Sequence, residues 1–130
     1  MGDVIDDRPL ILVAEDNASN YLLIEILLKH TYRLIHAQNG REAVAFFQSH
    51  HPQLILMDIK MPEMNGYEAT KAIRAMNDRP DGKNIPIIAM TANSFAEDVQ
   101  ASLDAGMNAH LSKPIVIDEV IKTILRYVYN

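Results

Sequence analysis

The chain contains no cysteine, which removes disulfide frameworks and thiolate metal sites and fits a reducing compartment. It also lacks any long apolar run. Stretches such as Leu10 to Ala14 fall far short of the roughly 20 residues needed to span a bilayer. No signal-peptide pattern opens the chain, so the sequence reads as soluble, with a cytoplasmic location and no membrane contact expected. Met1-Gly2 is similar to a myristoylation start, but position 6 is Asp where that motif wants Ser or Thr, and the likeness is taken as chance or a cloning junction. Basic charge is thin as well. Lys and Arg are scattered singly in a chain of formal net charge -5, which argues against direct nucleic-acid binding and against acidic partners. Neither a dinucleotide-binding glycine pattern nor a Walker loop follows the first apolar run, which speaks against a nucleotide-binding domain.

At 130 residues the chain is one domain by length. It can bury roughly two thirds of its unfolded surface and needs no disulfide or structural metal to fold. Leu10 to Ala14, Tyr32 to Ala37, Leu54 to Met57, Ile85 to Met90 and Ala109 to Leu111 read as five short strands. The first, third and fourth are almost continuously apolar, as strands covered on both faces of a parallel sheet are. Helical patterns lie between and after them, roughly over residues 18–30, 40–50, 66–77, 95–105 and 117–129. Asn39 with Glu42, and Ser94 with Glu97, have the spacing of reciprocal capping pairs. Gly106 sits where a helix end needs a left-handed residue. Val120, Ile121, Ile124, Leu125 and Val128 give the last helix one apolar stripe, and Asn77 to Asn84 reads as an exposed connection. Five βα units in succession predict an α/β fold: a five-stranded parallel sheet with helices on both faces, because each right-handed crossover must cover a face.

Ligands of such sheets bind beyond the carboxyl ends of the strands, where the strand order reverses. Those ends carry Glu15-Asp16 after the first strand, Asp58 after the third, Thr91 after the fourth and Lys113-Pro114 after the fifth. Three carboxylates about 4 Å apart would repel by up to ~4 kcal/mol per pair at an effective dielectric near 20, so the cluster calls for a neutralising partner. With carboxylates as the evident ligands, a hard divalent ion fits: Mg2+, or Mn2+ in its place. A carboxylate is also a nucleophile toward phosphorus, forming an aspartyl-phosphate. Phosphoryl transfer asks chiefly for positioning and charge neutralisation, and the ion, the Lys113 ammonium and the Thr91 hydroxyl are candidates to supply them.

The motifs VAEDN (Val13–Asn17), LMDIKMPEMNG (Leu56–Gly66), IIAMTAN (Ile87–Asn93) and HLSKP (His110–Pro114) stand in this order on four strand ends. With them the chain resembles the receiver domain of two-component response regulators, from about residue 9 to 129. The resemblance implies a doubly wound (βα)5, flavodoxin-like fold with sheet order 2-1-3-4-5. It implies phosphorylation of Asp58 by a phosphohistidine on a histidine kinase or histidine phosphotransfer domain. It places Mg2+ on Asp16, Asp58 and the backbone carbonyl of Lys60, with Glu15 helping, gives Thr91 a switching role beside Lys113, and makes the Lys113-Pro114 bond cis. Residues 1–8 then form an N-terminal extension and 9–130 the receiver domain. The segment from Met90 to Ile115 resembles the receiver modules of hybrid sensor histidine kinases in particular. That implies a kinase or output domain in a longer parent chain, and a place on the cytoplasmic side of the membrane. One position departs from the family pattern. Three residues before the lysine, where many receivers carry a Tyr or Phe that swings inward on activation, this chain has His110, so a pH-sensitive version of the switch stands beside the plainer reading of a histidine at a partner surface.

Each residue also has a bland reading. Asp58 alone is an ordinary turn former or helix cap, Glu15-Asp16-Asn17 an ordinary start to a helix, Thr91 a strand-end residue and Lys113 a surface lysine; their company decides for function. Met61 and Met64 read as loop anchors packing on the sheet edge, while Pro62 and Gly66 shape the loop that holds the acceptor. His50-His51 reads as solvated, because adjacent helical residues do not face one another. A hydrolase working through an aspartyl-phosphate would place a second aspartate two residues after the first, and that position is Lys60. The remaining alternative is a receiver-like scaffold that works without phosphorylation, yet the chain keeps both the acceptor and the lysine such scaffolds usually lose. No turnover role as an enzyme is expected, only weak intrinsic autophosphorylation and autodephosphorylation.

Overall fold

The computed structural model describes residues 6–92 and 96–129, in which strands and helices alternate throughout. The elements are β1 (Leu10–Ala14), α1 (Ala18–Leu28), β2 (Arg33–Ala37), α2 (Gly40–Ser49), β3 (Leu54–Asp58), α3 (Gly66–Arg74), β4 (Ile87–Thr91), α4 (Ala96–Ala105), β5 (Ala109–Ser112) and α5 (Ile117–Val128). All neighbouring strands pair in parallel, in the order β2-β1-β3-β4-β5. The chain runs outward from β1 to β2, then crosses back over β1 to β3. This is the order reversal that leaves a crevice at the carboxyl ends of β1 and β3.

Period-2 alternation splits the apolar strands between two cores. Leu12, Ala14, Ile55, Met57, Ile87 and Ala89 pack with Ala43 and Phe47 of α2 and Ala69 and Ile73 of α3. Ile11, Val13, Leu54, Leu56, Ile88 and Met90 pack with Ile24 and Leu28 of α1 and Val120 and Ile124 of α5. Each fully buried aliphatic or aromatic side chain contributes roughly 1.5–3 kcal/mol. The central strands therefore form a rigid platform for whatever their ends carry.

Helix boundaries follow local chemistry. Asn17 accepts from the Asn20 amide and caps α1. Asn39 accepts from the Glu42 amide, but the Glu42 carboxylate accepts from Gln38 and not from Asn39, so the expected reciprocal pair is only half formed. The complete capping box lies at Asn65 and Glu68, where each side chain accepts from the other's amide. Gly106, at φ +104°, ends α4 with the paired Gly106-to-Leu103 and Met107-to-Ser102 hydrogen bonds of a Schellman turn. The pairing expected of Ser94 with Glu97, like Met1-Gly2, lies outside the described residues.

Three sequence expectations are corrected here. The polar stretch 77–84 is not simply exposed. It folds into a 3-10 turn, Pro80–Lys83, and Arg79 is buried, its guanidinium bonding the Phe47, Gln48 and His50 carbonyls at the end of α2 while pairing with Asp81. β4 begins at Ile87, not Ile85, because Ile85 closes the turn onto Asp81 and Pro86 has no amide to donate. On α5, Leu125 faces outward while Val120 and Ile124 are buried, so the apolar stripe is narrower than its spacing suggested.

Candidate functional site

Strand ladders carry the functional residues into register just beyond the sheet. The Glu15 amide donates to Ala37 O at 3.0 Å, the Ile59 amide to Met90 O at 3.2 Å, and the Lys113 amide to Thr91 O at 2.8 Å. These bonds hold the first residues after β1, β3 and β5 against the neighbouring strand ends. One cleft results, lined among others by Glu15, Asp16, Asp58, Lys60, Thr91 and Lys113.

Within it, Glu15, Asp16 and Asp58 each offer a carboxylate oxygen, and the three oxygens lie within 4.8 Å of one another. Glu15 is fully buried, Asp58 is 5% exposed, and Asp16 faces solvent. Lys113 Nζ sits 2.7 Å from Glu15 Oε1 and 3.2 Å from Asp58 Oδ2. Glu15 Oε2 also accepts from the Asn17 amide at 3.3 Å.

The electrostatics separate the two buried acids. Burial and the adjacent Glu15 push the Asp58 carboxyl up to about 7, against the pull of Lys113. Burial would raise Glu15 too, but the hydrogen bonds with Lys113 and Asp58 outweigh it and hold Glu15 below its ordinary range. Burial works against the Lys113 charge, yet the two carboxylates overcome it and raise its pKa. Two lysines, Lys60 and Lys113, against four acids, Glu15, Asp16, Asp58 and Asp98, leave the cleft short of positive charge, the condition under which a divalent ion is held by carboxylates, waters and phosphate oxygens. Two anions 4.8 Å apart repel by about 3 kcal/mol at an effective dielectric of 20, so such an ion fits the donors present.

Residues 11–125 match the family described as the response regulator receiver domain. This chain belongs to that family. As a receiver domain it is a phosphoacceptor module of two-component signalling, a switch in place of a turnover enzyme. It is 37% identical over 118 residues to the polar-differentiation response regulator DivK of Brucella ovis, covering 90% of this chain and 94% of that one. The receiver domain of sensor histidine kinase PA1611 from Pseudomonas aeruginosa superimposes with a TM-score of 0.87 at 36% identity, over 95% of this chain and 99% of that one. That structure has a magnesium ion coordinated in its active site cleft, and Glu15, Asp16 and Asp58 of this receiver form a group able to hold such an ion. The Saccharomyces cerevisiae Ssk1 receiver, solved with the histidine phosphotransfer protein Ypd1, is similar at TM-score 0.86 and 30% identity, over 94% and 90% of the two chains.

The other singled-out residues divide. The Lys113-Pro114 peptide of this receiver is cis, and Pro114 lines a small groove beside the cleft together with Leu23 and Ile115. Pro62 borders an adjoining groove with Lys60 and Met61. Gly66 donates to Ile59 O at 2.9 Å, and a Cβ there would stand 2.3 Å from the Asp58 carbonyl oxygen. Met61 and Met64 pack into the core under this loop. His110 is exposed on β5 and is not among the residues lining the cleft. His50 and His51 are exposed at the end of α2. Asn20, Tyr67 and Asp98 also line the cleft, and the sequence reading passed over them. Each lies in the first turn of a helix that follows a functional strand end, and that position was the available signal. Among the described residues no helix is long and apolar enough to cross a membrane.

Proposed function

We propose that Asp58 is the phosphoacceptor of this receiver domain, with Lys113 and Thr91 as its partners and Glu15, Asp16, Asp58 and the Lys60 carbonyl as the metal ligands. One observation carries the reading: a single ammonium, that of Lys113, bridges Glu15 and Asp58 at the mouth of the crevice. Of the three acids, Glu15 is fully buried with both oxygens engaged, and Asp16 makes no ion pair with the lysine. Asp58 alone combines contact with the cation, a place at the centre of the sheet and access from the cleft.

The donor is a phosphohistidine on a histidine kinase or a histidine phosphotransfer domain. A carboxylate oxygen of Asp58 attacks phosphorus, an O–P bond forms, and the P–N bond breaks with its electron pair returning to the imidazole, which takes a proton from solvent. Lys113 neutralises charge gathering on the phosphoryl oxygens, and the Thr91 hydroxyl donates to one of them once the group is in place. A bound divalent ion supplies further neutralisation of the same oxygens. The added charge of about -1.5 to -2 then shifts the population of the face formed by α4, β5 and α5, where His110 is exposed. The same chemistry gives slow autophosphorylation from small donors and slow autodephosphorylation. The unit is residues 9–130 with an extension at 1–8, acting in the cytoplasm as a phosphorelay receiver.

The test is incubation with a small phosphodonor and Mg2+, followed by intact mass. The wild type should gain one base-labile phosphoryl group and Asp58→Asn none. Equal labelling of the two proteins, or no labelling of the wild type, would overturn the assignment.

A further inference from the structure

Next to the last residue of β2 stands a half-buried histidine, His36, that the phosphoacceptor reading does not use. His36 Nε2 lies 2.8 Å from the backbone carbonyl oxygen of Glu15. A carbonyl only accepts, so Nε2 carries the proton. The same ring lies flat against Tyr21, with centroids 3.7 Å apart and planes 2° from parallel. Tyr21 lies in the first turns of α1 and its amide donates to Asn17 O, so one imidazole touches Glu15 at the start of the turn 15–17 and, beyond its end, the helical residue bonded to Asn17.

The need for this contact follows from the ladder. Glu15 is fully buried, and its carbonyl requires a partner. Its amide still pairs with β2, donating to Ala37 O. After Ala37 the chain leaves the sheet to start α2: Gln38 gives its amide to the Glu42 carboxylate, and Asn39 caps the helix. The amide due next in the parallel ladder onto Glu15 O is that of Asn39, but β2 stops at Ala37 and Asn39 already caps α2, so the His36 side chain reaches forward to take that place.

We propose that His36 is a positioning residue for the acidic pair: its Nε2–H closes the β1–β2 ladder on the Glu15 carbonyl and, braced on Tyr21, fixes the turn that presents the Glu15 and Asp16 carboxylates. The ring acts through the backbone of Glu15 and is not among the residues lining the cleft. Its consequence for metal affinity rests on the reading of that pair as metal ligands, whereas its hold on the turn does not.

Two variants separate the hydrogen bond from the stacking. His36→Phe keeps an aromatic ring against Tyr21 and loses the donor; His36→Gln keeps an N–H of similar reach and loses the ring. In the metal-free protein, amide hydrogen exchange at Glu15 and Asn17 should accelerate about fivefold in His36→Phe, the factor for losing one hydrogen bond. Exchange in β3 and β4 should be unchanged, and His36→Gln should stay within twofold of wild type at every site. Titration with Mg2+ alone should show the same fivefold weakening for Phe and rescue by Gln. Wild-type exchange in His36→Phe, or a His36→Gln protein as fast as His36→Phe, overturns the proposal. A wild type that exchanges as expected but binds no Mg2+ would instead sink the metal reading of the acidic pair and leave the exchange comparison to decide on His36.

Discussion

Asp58 holds its proton far more tightly in the folded receiver than in the unfolded chain. Its carboxyl titrates near 7 because burial and Glu15 disfavour the anion, against an ordinary value of 3.8. A carboxyl raised in this way contributes stability that is complete below the unfolded pKa and is lost as pH rises from about 4 through 7. Asp58→Asn removes the titrating charge. In metal-free buffer the variant should therefore be more stable than wild type by on the order of 4 kcal/mol at pH 8, with the gain vanishing toward pH 4. Thermal melts at the two pH values check this. Millimolar Mg2+ should narrow the difference at pH 8, because a ligand held only by the folded state raises stability by mass action and the wild type binds it better. A variant less stable than wild type at pH 8 without metal would show that Asp58 is not a strained acid.

At the scale of elements, two contacts between segments hold the site and its surroundings in place. Gly66 begins α3 so close under β3 that a Cβ would meet the Asp58 carbonyl oxygen at 2.3 Å, a backbone atom with little room to move. Gly66→Ala should destabilise the fold by about 2–4 kcal/mol in urea unfolding and weaken Mg2+ binding through the displaced Asp58 loop. On the opposite edge, Arg74 of α3 bonds the carbonyls of Gly82, Ile85 and Gly106 and the side chain of Asn108. Burial lowers its pKa. Arg74→Lys keeps the charge but loses the planar fork of five donors. It should therefore cost about 2 kcal/mol in the same urea experiment, where a surface arginine would cost almost nothing. Gly66 was legible as a residue shaping the acceptor loop, but neither arginine clasp, that of Arg74 or that of Arg79, was. Arg74 reads as one more charge on an amphipathic helix, and the buried Arg79 lay in a stretch whose polar composition suggested only an exposed loop. Both satisfy carbonyls left by distant segments, which a linear pattern does not display.

At the scale of the whole molecule, the reading from sequence succeeded where a residue's position on the sheet decides its neighbours. The apolar runs of β1, β3 and β4 announced a parallel sheet covered on both faces. Parallel topology sends every strand's carboxyl end to one side, so Glu15, Asp16, Asp58, Thr91 and Lys113 could be grouped although they span most of the chain. The pairing of charges inside the group was not legible. That Lys113 bridges Glu15 and Asp58 while Asp16 stays in solvent depends on side-chain reach and depth. His36 escaped notice because its role replaces a ladder bond that only the departure of β2 from the sheet takes away. Tyr67 and Asp98 enter the cleft from helices whose first turns lean over it, a matter of packing angle more than of pattern. The proposed phosphorylation joins one atom pair, an oxygen of Asp58 and a phosphorus. Its most direct test is to phosphorylate the protein with a small donor and Mg2+, reduce the acyl phosphate with borohydride, and sequence the peptides by mass. Homoserine at position 58, and no reduced residue at any other acidic position, is the predicted result; hydroxynorvaline at 15, homoserine at 16, or no reduced residue anywhere in a labelled protein would contradict it.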